Sequence, residues 1–433
     1  MSGDAEQNYF ADGMTEDILT DLSDVPGLSV AAKSSSQIYR GAQMSAAQIS
    51  QEIGVRYLLE GSVRKSGNHV RISAQLTDTH TNRLEWAERY GRRLDNVFEL
   101  QSEISKAIVG ALKLNLTSNL NVTDKRTTSN VEAYQYYLRG HILLQDGSQR
   151  SIQLAYNLFG QAVALDPEYA LAYTGQAESS ARLVLHYDVD RSLQDEALEK
   201  CNIALKLQPD LAEAFSSRGN IQLFFRNFNK ARDDIEKAIS ISPNLAVAHF
   251  HMGQYHLNTS GGIAEAYNSY KRAFELDQNL NYGMMVETCL HGLDRPEELI
   301  SIGQKILKIS LRNFSLNPHD FAAIHMIAFA YNDLGETEKA KHWAKIASSF
   351  NLEDGRLTYN MACLHSVMGS IDEALSMLEK TLNLTCNELK VRFMKYTDPD
   401  LELVRQDPRF DELLERFGYN FKPRKPLRKS TVD

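Results

Sequence analysis

Pro209 and Pro243 lie 34 residues apart, and the segments leading to and from the second of them superimpose. One reads AEAFSSRGNIQLFFRNFNKARDDIEKAISISP; its successor, AVAHFHMGQYHLNTSGGIAEAYNSYKRAFELDQ, is one residue longer. A large residue recurs near the start (Phe215, His249) and a glycine follows four residues later (Gly219, Gly253). Small residues recur in the second half: Ala231 and Ala238, then Ala266 and Ala273. A period of this length constrains a chain severely. Each unit is a pair of helices whose apolar face is too large to hide alone, so neighbours must stack and share a continuous core. Where helices touch closely only Ala or Gly fits, and Leu in place of Ala238 would overpack at a cost of ~1–3 kcal/mol. Proline after the second helix stops it, since it lacks an N–H and restrains the residue before it.

The register extends both ways. Upstream, Gly140, Ala155, Phe159, Ala162 and Pro167 mark one unit, with a short insertion expected between its helices. Tyr173, Ala177, Ala197, Ala204 and Pro209 mark the next, lengthened around VLHYDVDR. Residues 281–318 keep plausible helices but lose most small residues. Regularity returns with Ala328, Ala340, Ala344 and Ala347, and TYNMACLHSVMGSIDEALSMLEKTL places Ala362 and Ala374 in a final unit. The pattern resembles the tetratricopeptide repeat (TPR), which implies an α-solenoid of six or seven helix pairs over residues 131–386.

Residues 1–120 have another texture. MTEDILTDLSDV puts Met14, Ile18, Leu22 and Val25 on one helical face. GLSVAAKS reads as a short strand, and SAAQISQEIG as a helix ended by Gly54. VRYLLEGSVRKSGNHVRISAQLTD reads as two strands joined by a hairpin, with Val70, Ile72, Ala74 and Leu76 alternating. NRLEWAERY adds a strand, and LDNVFELQSEISKAIVGALKLNL a closing helix, so a small α+β unit precedes the helical array. YFADGMTEDILTDLS and LEGSVRKSGNHVRISAQLTDTHTNRLEWAERY resemble the TolB-like (FlgO-like) domain, which in bacteria is coupled to TPR arrays in multidomain regulators. Several of those resemble class III adenylate or guanylate cyclases; others carry a winged-helix or kinase domain. EDGRLTYNMACLHSVMG and DPDLELVRQDPRFDELLERF resemble their last repeat and tail, so the likeness covers about residues 2–417.

In that family an apolar strand precedes the Ser2-Gly3-Asp4 turn, whereas here Met1 stands directly before it. Three buried side chains at ~1.5–3 kcal/mol each amount to ~5–9 kcal/mol, against ~5–15 kcal/mol for a whole domain. The expectation is a marginal domain or an unpaired sheet edge that invites self-association, in a chain that is truncated or starts further upstream.

Composition excludes several classes. The 433 residues carry a formal charge of −9, which argues against a nucleic-acid partner. No apolar run approaches the ~20 residues of a membrane span, and the first thirty residues lack signal-peptide features. Cys201, Cys289, Cys363 and Cys386 are far apart with no C-x-x-C, which suits inert thiols in a reducing cytoplasm. Phe10-Ala11-Asp12 imitates the start of a cyclase metal motif, but Gly13 follows. Helix-start chemistry accounts better for the acids: Asp12 or Thr15 as cap, Glu16 and Asp17 in the first turn. His249, His251 and His256 lack a further ligand for zinc, with His249 and His256 expected at packing positions. Gly261-Gly262 lacks the Lys-Ser/Thr of a phosphate loop, and neither G-x-S-x-G nor H-E-x-x-H occurs. No catalytic, metal or cofactor residue is assigned. The tail FKPRKPLRK reads as a solvated basic extension.

The concave groove of the array remains. Carrying TPR geometry over, its lining should include Asn220, Phe224, Phe250, Gln254, Phe329, Asn332 and Tyr359, a mixture of aromatics and amides suited to an apolar peptide or helix. The expected organisation is 1–120 (TolB-like, lacking its first strand), 131–386 (solenoid), 387–417 (helical cap) and 418–433 (flexible tail). The function implied is a non-catalytic, cytoplasmic, bacterial protein–protein interaction scaffold, by resemblance the accessory part of a cyclase-type signalling protein. Cyclic-nucleotide synthesis and the accessory region of a transcriptional regulator stay open as alternatives.

Overall fold

In the computed structural model, residues 5–23, 44–66, 69–93, 97–112, 128–187, 193–259, 262–350, 353–384 and 388–419 are described, with isolated positions between 25 and 39. Ser45 starts a helix by accepting from the Gln48 N–H while the Gln48 side chain reaches back, and Gly54, at φ 80°, ends it in the left-handed region. This short helix, α2 (Ala46–Ile53), follows α1 (Ala5–Ser23). Three strands come next: β1 (Tyr57–Ser66), β2 (His69–Asp78) and β3 (Arg83–Arg93). They form an antiparallel sheet in the order β1-β2-β3, with Ser66 opposite His69 at the hairpin and a bulge in β2–β3 pairing at Leu76/Thr77. Val70, Ile72, Ala74 and Leu76 are buried, as their alternation demands. Met14 from α1 and Leu100, Ile104 and Ile108 from α3 (Val97–Ala111) share one core with Val70 and Ile72, while Arg71 and Gln75 on the other face are exposed.

Two expectations change here. α1 is already helical at Ala5, so Asp12, Thr15, Glu16 and Asp17 sit within it rather than at its start. Thr15 donates to the Ala11 carbonyl, Asp17 accepts from Tyr134 Oη, and Glu16 lies 3.9 Å from His141 Nδ1. These acids fasten α1 to the first solenoid helix. Gly13 allows the approach, since a Cβ there would stand 2.3 Å from Leu138 Cδ1. The expected strand GLSVAAKS lies mostly outside the described residues; Leu28, Val30 and Ala31 are described, and none is in a strand. Among the described residues β1 and β3 are the sheet's edges.

From Val131 onward the chain is helix pairs: α4/α5 (Val131–Asp146, Gln149–Leu165), α6/α7 (Ala170–Tyr187, Leu193–Leu207), α8/α9 (Ala212–Phe224, Phe228–Ile241) and α10/α11 (Ala246–Asn258, Gly262–Leu276). Three more follow: α12/α13 (Leu280–Leu293, Pro296–Leu316), α14/α15 (Phe321–Asp333, Thr337–Ser348) and α16/α17 (Gly355–Val367, Ile371–Leu384). The periodic alanines 155, 162, 177, 197, 204, 231, 238, 266, 273, 328, 340, 344, 347, 362 and 374 are all buried. In the irregular stretch Val286, Leu290 and Ile306 fill the core instead of small residues. The expected insertion between the first two helices is not a loop. Gly147-Ser148 alone joins α4 to α5, and the extra residues lengthen the helices to 16 and 17 residues, against 13 and 14 in α8 and α9. VLHYDVDR likewise begins as the last turn of α6; its remainder lies outside the described residues.

The superhelix curves far enough to touch itself. Tyr187 Oη, at the end of α6, donates to the Gly147 carbonyl at 2.7 Å and lies 3.0 Å from Asp354 Oδ2 at the start of α16. The α+β unit also reaches the array a second time, with the Arg312 guanidinium 3.5 Å from the Tyr39 ring centroid and 3.5 Å from Glu52. A cap closes the far end: α18 (Glu388–Tyr396), a single 3-10 turn (Pro399–Leu401), α19 (Glu402–Arg405) and α20 (Pro408–Arg416). Leu401, Val404, Phe410, Leu413 and Leu414 are buried against Leu378 and Leu382 of α17 in one core. Cys201, Cys289 and Cys363 are free and buried, and burial pushes all three thiols up, Cys289 to about 12. Cys386 and the basic tail lie outside the described residues.

Candidate functional site

The first helix of each pair presents a repeated register. The eighth residue of α8 and α10 is the glycine that faces its partner helix: a Cβ on Gly219 would stand 2.6 Å from Ile235 Cγ1, and one on Gly253 2.6 Å from the Tyr270 ring. One residue further, a step of ~100° around the helix axis, turns the side chain off that contact. The ninth residues of α8, α10, α12, α14 and α16 are Asn220, Gln254, Thr288, Phe329 and Cys363. In α6 the ninth residue is Glu178; Gln176 is the seventh and follows Gly175, where a Cβ would stand against Phe159 of α5 rather than the partner helix α7.

The amino-terminal three share a feature. Gln176 Oε1, Asn220 Oδ1 and Gln254 Oε1 are buried atoms without a hydrogen-bond partner. An orphaned buried acceptor costs ~1–3 kcal/mol, so Asn220 and Gln254 leave two acceptors at the same position of consecutive repeats facing no donor of their own, with a third on Gln176 two positions out of that register. Gln176 was not among the sequence candidates, and the register of Tyr173 and Ala177 gives no signal for it, since the repeated position there falls on Glu178. Phe224 ends α8 half-buried. Phe250, also half-buried, tilts against Tyr282 and Tyr270 with ring centroids 4.9 and 5.4 Å apart.

The carboxyl-terminal candidates behave differently. Phe329 does not line a groove: it is 2% exposed, because α14 is buried from Ala323 through Ala330 and its ring packs into the core with Met361 and Leu364. Asn332 is half-buried at the end of α14. Tyr359 is half-buried, but its hydroxyl is engaged by Asp398 of the cap. The sequence candidates therefore divide into Asn220, Phe224, Phe250 and Gln254 on neighbouring helices, and a second group of Phe329, buried in the core, half-buried Asn332, and Tyr359, whose hydroxyl meets the cap.

Histidines fall out unlike the sequence pattern. His249 is half-buried and His256 partly exposed, whereas His251 is buried, with Nδ1 2.9 Å from Ser216 Oγ of the preceding repeat. Burial pulls His251 down to about 4, so it is neutral at pH 7. Nearby, Arg182 donates to the Leu144 carbonyl at 2.9 Å and pairs with Glu178. Burial, the largest single influence, would raise Glu178, but the charge and hydrogen bond of Arg182 together with the nearby His251 and His141 outweigh it, and the carboxyl lies below its usual range.

One cluster has metal-ligating atoms. Cys363 Sγ and carboxylate oxygens of Asp398 and Asp400 all lie within 4.8 Å of one another, and all three residues are buried. Hydrogen bonds already occupy them. Asp398 accepts from Tyr359 Oη, from Cys363 Sγ at 3.6 Å and from the Asp400 N–H at 3.0 Å. Asp400 accepts from Thr288 Oγ1 at 2.8 Å and from His291 Nδ1 at 2.9 Å. The other His291 nitrogen donates to Asp333 at 2.9 Å. Burial alone would pull His291 down, but the two carboxylates outweigh it and push it up to about 11, which makes it an imidazolium with both N–H groups used.

A tetratricopeptide repeat family model matches residues 212–245. A Rhizobium meliloti (strain 1021) protein, "Putative adenylate cyclase 3", is 42% identical over 174 residues, 40% of this chain and 30% of its own. The chain spans under half the length of each curated relative it matches. A tetratricopeptide repeat protein of Parabacteroides merdae superposes with a TM-score of 0.37 at 12% identity, covering 61% of this chain and 97% of that one. YrrB, described as a TPR protein with an unusual peptide-binding site, gives a TM-score of 0.29 at 18% identity, covering 44% of this chain and 95% of its own.

Proposed function

We propose that this TPR array is a non-catalytic scaffold that binds an extended peptide or helix of a partner protein across α6, α8 and α10. The observation that carries it is the pair of unpartnered amide oxygens at one repeated position of α8 and α10, on Asn220 and Gln254, with that of Gln176 on α6. Unpartnered acceptors suit peptide N–H groups, and the Phe224 and Phe250 rings on the same two helices offer apolar contact for side chains. Asn332 and Tyr359 belong to the opposite end of the same face.

The resemblance of residues 1–120 to the TolB-like domain, together with the 42% identity to the named cyclase over part of its length, supports placing this chain as an accessory region of a cytoplasmic cyclase-type signalling protein. The organisation we propose is a TolB-like unit over 1–120, the solenoid over 131–386, a cap over 387–417 and a basic tail beyond. Among the described residues no helix is long and apolar enough to cross a membrane.

Crosslinking pull-down with the full chain tests the groove. The Phe224→Ala/Phe250→Ala variant should lose the partner that the wild-type chain retains, at unchanged far-UV circular dichroism. Retention of every partner would refute the assignment. Conversion of ATP or GTP to a cyclic nucleotide by the purified chain would replace the scaffold reading with the cyclase one.

A further inference from the structure

After α18 the chain turns back across the array instead of leaving it. Asp398 caps the turn Pro399–Leu401, and that turn packs on α12 and α16, the first helices of two pairs separated by a third. Pro399 lies over Gly292, where a Cβ would stand 3.0 Å from Pro399 Cγ, and Leu401 is wholly buried. Arg405 donates to the Asp398 and Met394 carbonyls and so holds the turn from behind.

The recognition is specific to acid. Asp398 and Asp400 are 3% and 5% exposed, a placement that is costly for carboxylates unless donors meet them. Donors arrive from two helices: Tyr359 and Cys363 of α16 for Asp398, Thr288 and His291 of α12 for Asp400. Asp333 of α14 orients the His291 ring from its far side. Thr288 and Cys363 occupy the same helix position as Asn220 and Gln254. The register that leaves amide oxygens unpartnered at one end of the face therefore holds an acidic turn at the other. Apolar residues alone would suffice for a cap that only covers a core, and Leu401, Val404 and Phe410 already do so.

We propose that the concave face formed by α12, α14 and α16 is a recognition site for an Asp-x-Asp turn, and that residues 398–401 of this chain are its resident ligand, a latch seated on the groove. A foreign peptide is thereby confined to α6, α8 and α10 while the latch is closed. The inference does not rest on that peptide: the latch is defined by its own contacts.

A fluorescent peptide YTDPDLELVR, the sequence of residues 396–405, tests it by anisotropy against the full chain. The Asp398→Asn/Asp400→Asn chain, its own latch disabled, should take the peptide at least tenfold tighter than wild type. Adding Thr288→Val and His291→Gln should remove that gain, and a peptide with both aspartates changed to Asn should not bind. The Phe224→Ala/Phe250→Ala chain should behave as wild type, which separates failure here from failure of the partner groove. Equal binding to wild type and latch variant, or none to the latch variant, overturns the proposal. Should the latch variant unfold, hydrogen exchange on the wild-type chain decides. Exchange at the Asp400 and Leu401 amides through an opening that leaves α16 protected supports a latch. Exchange only together with α16 overturns it.

Discussion

Gly219→Ala probes the contact that closes the α8/α9 helix pair. In an open helix the change is favourable by up to ~1 kcal/mol, because Ala costs less backbone entropy than Gly. At this position the new Cβ would stand 2.6 Å from Ile235 Cγ1, 3.0 Å from the Ala231 carbonyl oxygen and 3.2 Å from the Ile235 nitrogen. Carbon contacts are comfortable from ~3.5 Å, so the neighbours must yield by several tenths of an ångström. Two of the three atoms are backbone of α9, and Ile235 is wholly buried, so no side-chain swing relieves the clash. Overpacking of this kind costs ~1–3 kcal/mol, and the backbone involvement puts it near the upper end. After the propensity gain the net loss is ~1–2 kcal/mol. Gly110→Ala is the matched control: Gly110 is exposed near the end of α3 and nothing lies within 4 Å of its added Cβ. That variant should gain a few tenths of a kcal/mol. Urea midpoints followed by far-UV ellipticity read both, and hydrogen exchange in α8 and α9 localises the loss. Gly219→Ala as stable as wild type, or shifted in the same direction as Gly110→Ala, would refute the close approach.

Arg218 grips Asp234 of α9 with two hydrogen bonds of 2.8 and 2.6 Å, and Asp234 is 9% exposed. Arg218→Ala should lower stability by ~2–3 kcal/mol, since it strands a carboxylate; a double variant with Asp234→Leu should recover most of it, and no recovery would contradict the pairing. His251 and His325 are each pulled down to about 4 by burial, from 6.5. A histidine with a depressed native pKa contributes stability above pH 6.5 that is lost as pH falls toward about 4, because the unfolded chain takes up the proton first. Melting temperature should drop across that window, and His251→Gln should flatten the drop; an unchanged slope would show that His251 is not the group responsible.

Much of this architecture is local and therefore legible in the chain alone. The Gly and Ala spacing specifies helix pairs because those residues meet their partners within one repeat, as Gly219 meets Ile235. The alternation of Val70, Ile72, Ala74 and Leu76 names the buried face of β2, and Gly54 ends α2 where a left-handed residue is needed. Asn220 and Gln254 were legible for the same reason, since their helix position repeats.

What the chain alone could not decide depends on curvature accumulated over several repeats. Asp17 reads as a helix-start acid until Tyr134, 117 residues away, is seen to donate to it. Phe329 and Gln254 hold the same helix position, yet the packing around α14 buries the first and leaves the second half-buried. Thr288 and Asp400 are separated by 112 residues, and Tyr187 and Asp354 by 167. A small rotation per repeat leaves no trace in any one repeat, but summed along the array it determines which distant helices meet. The repeating side chains therefore determine the kind of fold, while the turn-by-turn geometry of the whole array decides which part of its inner face is open and which part the chain fills itself.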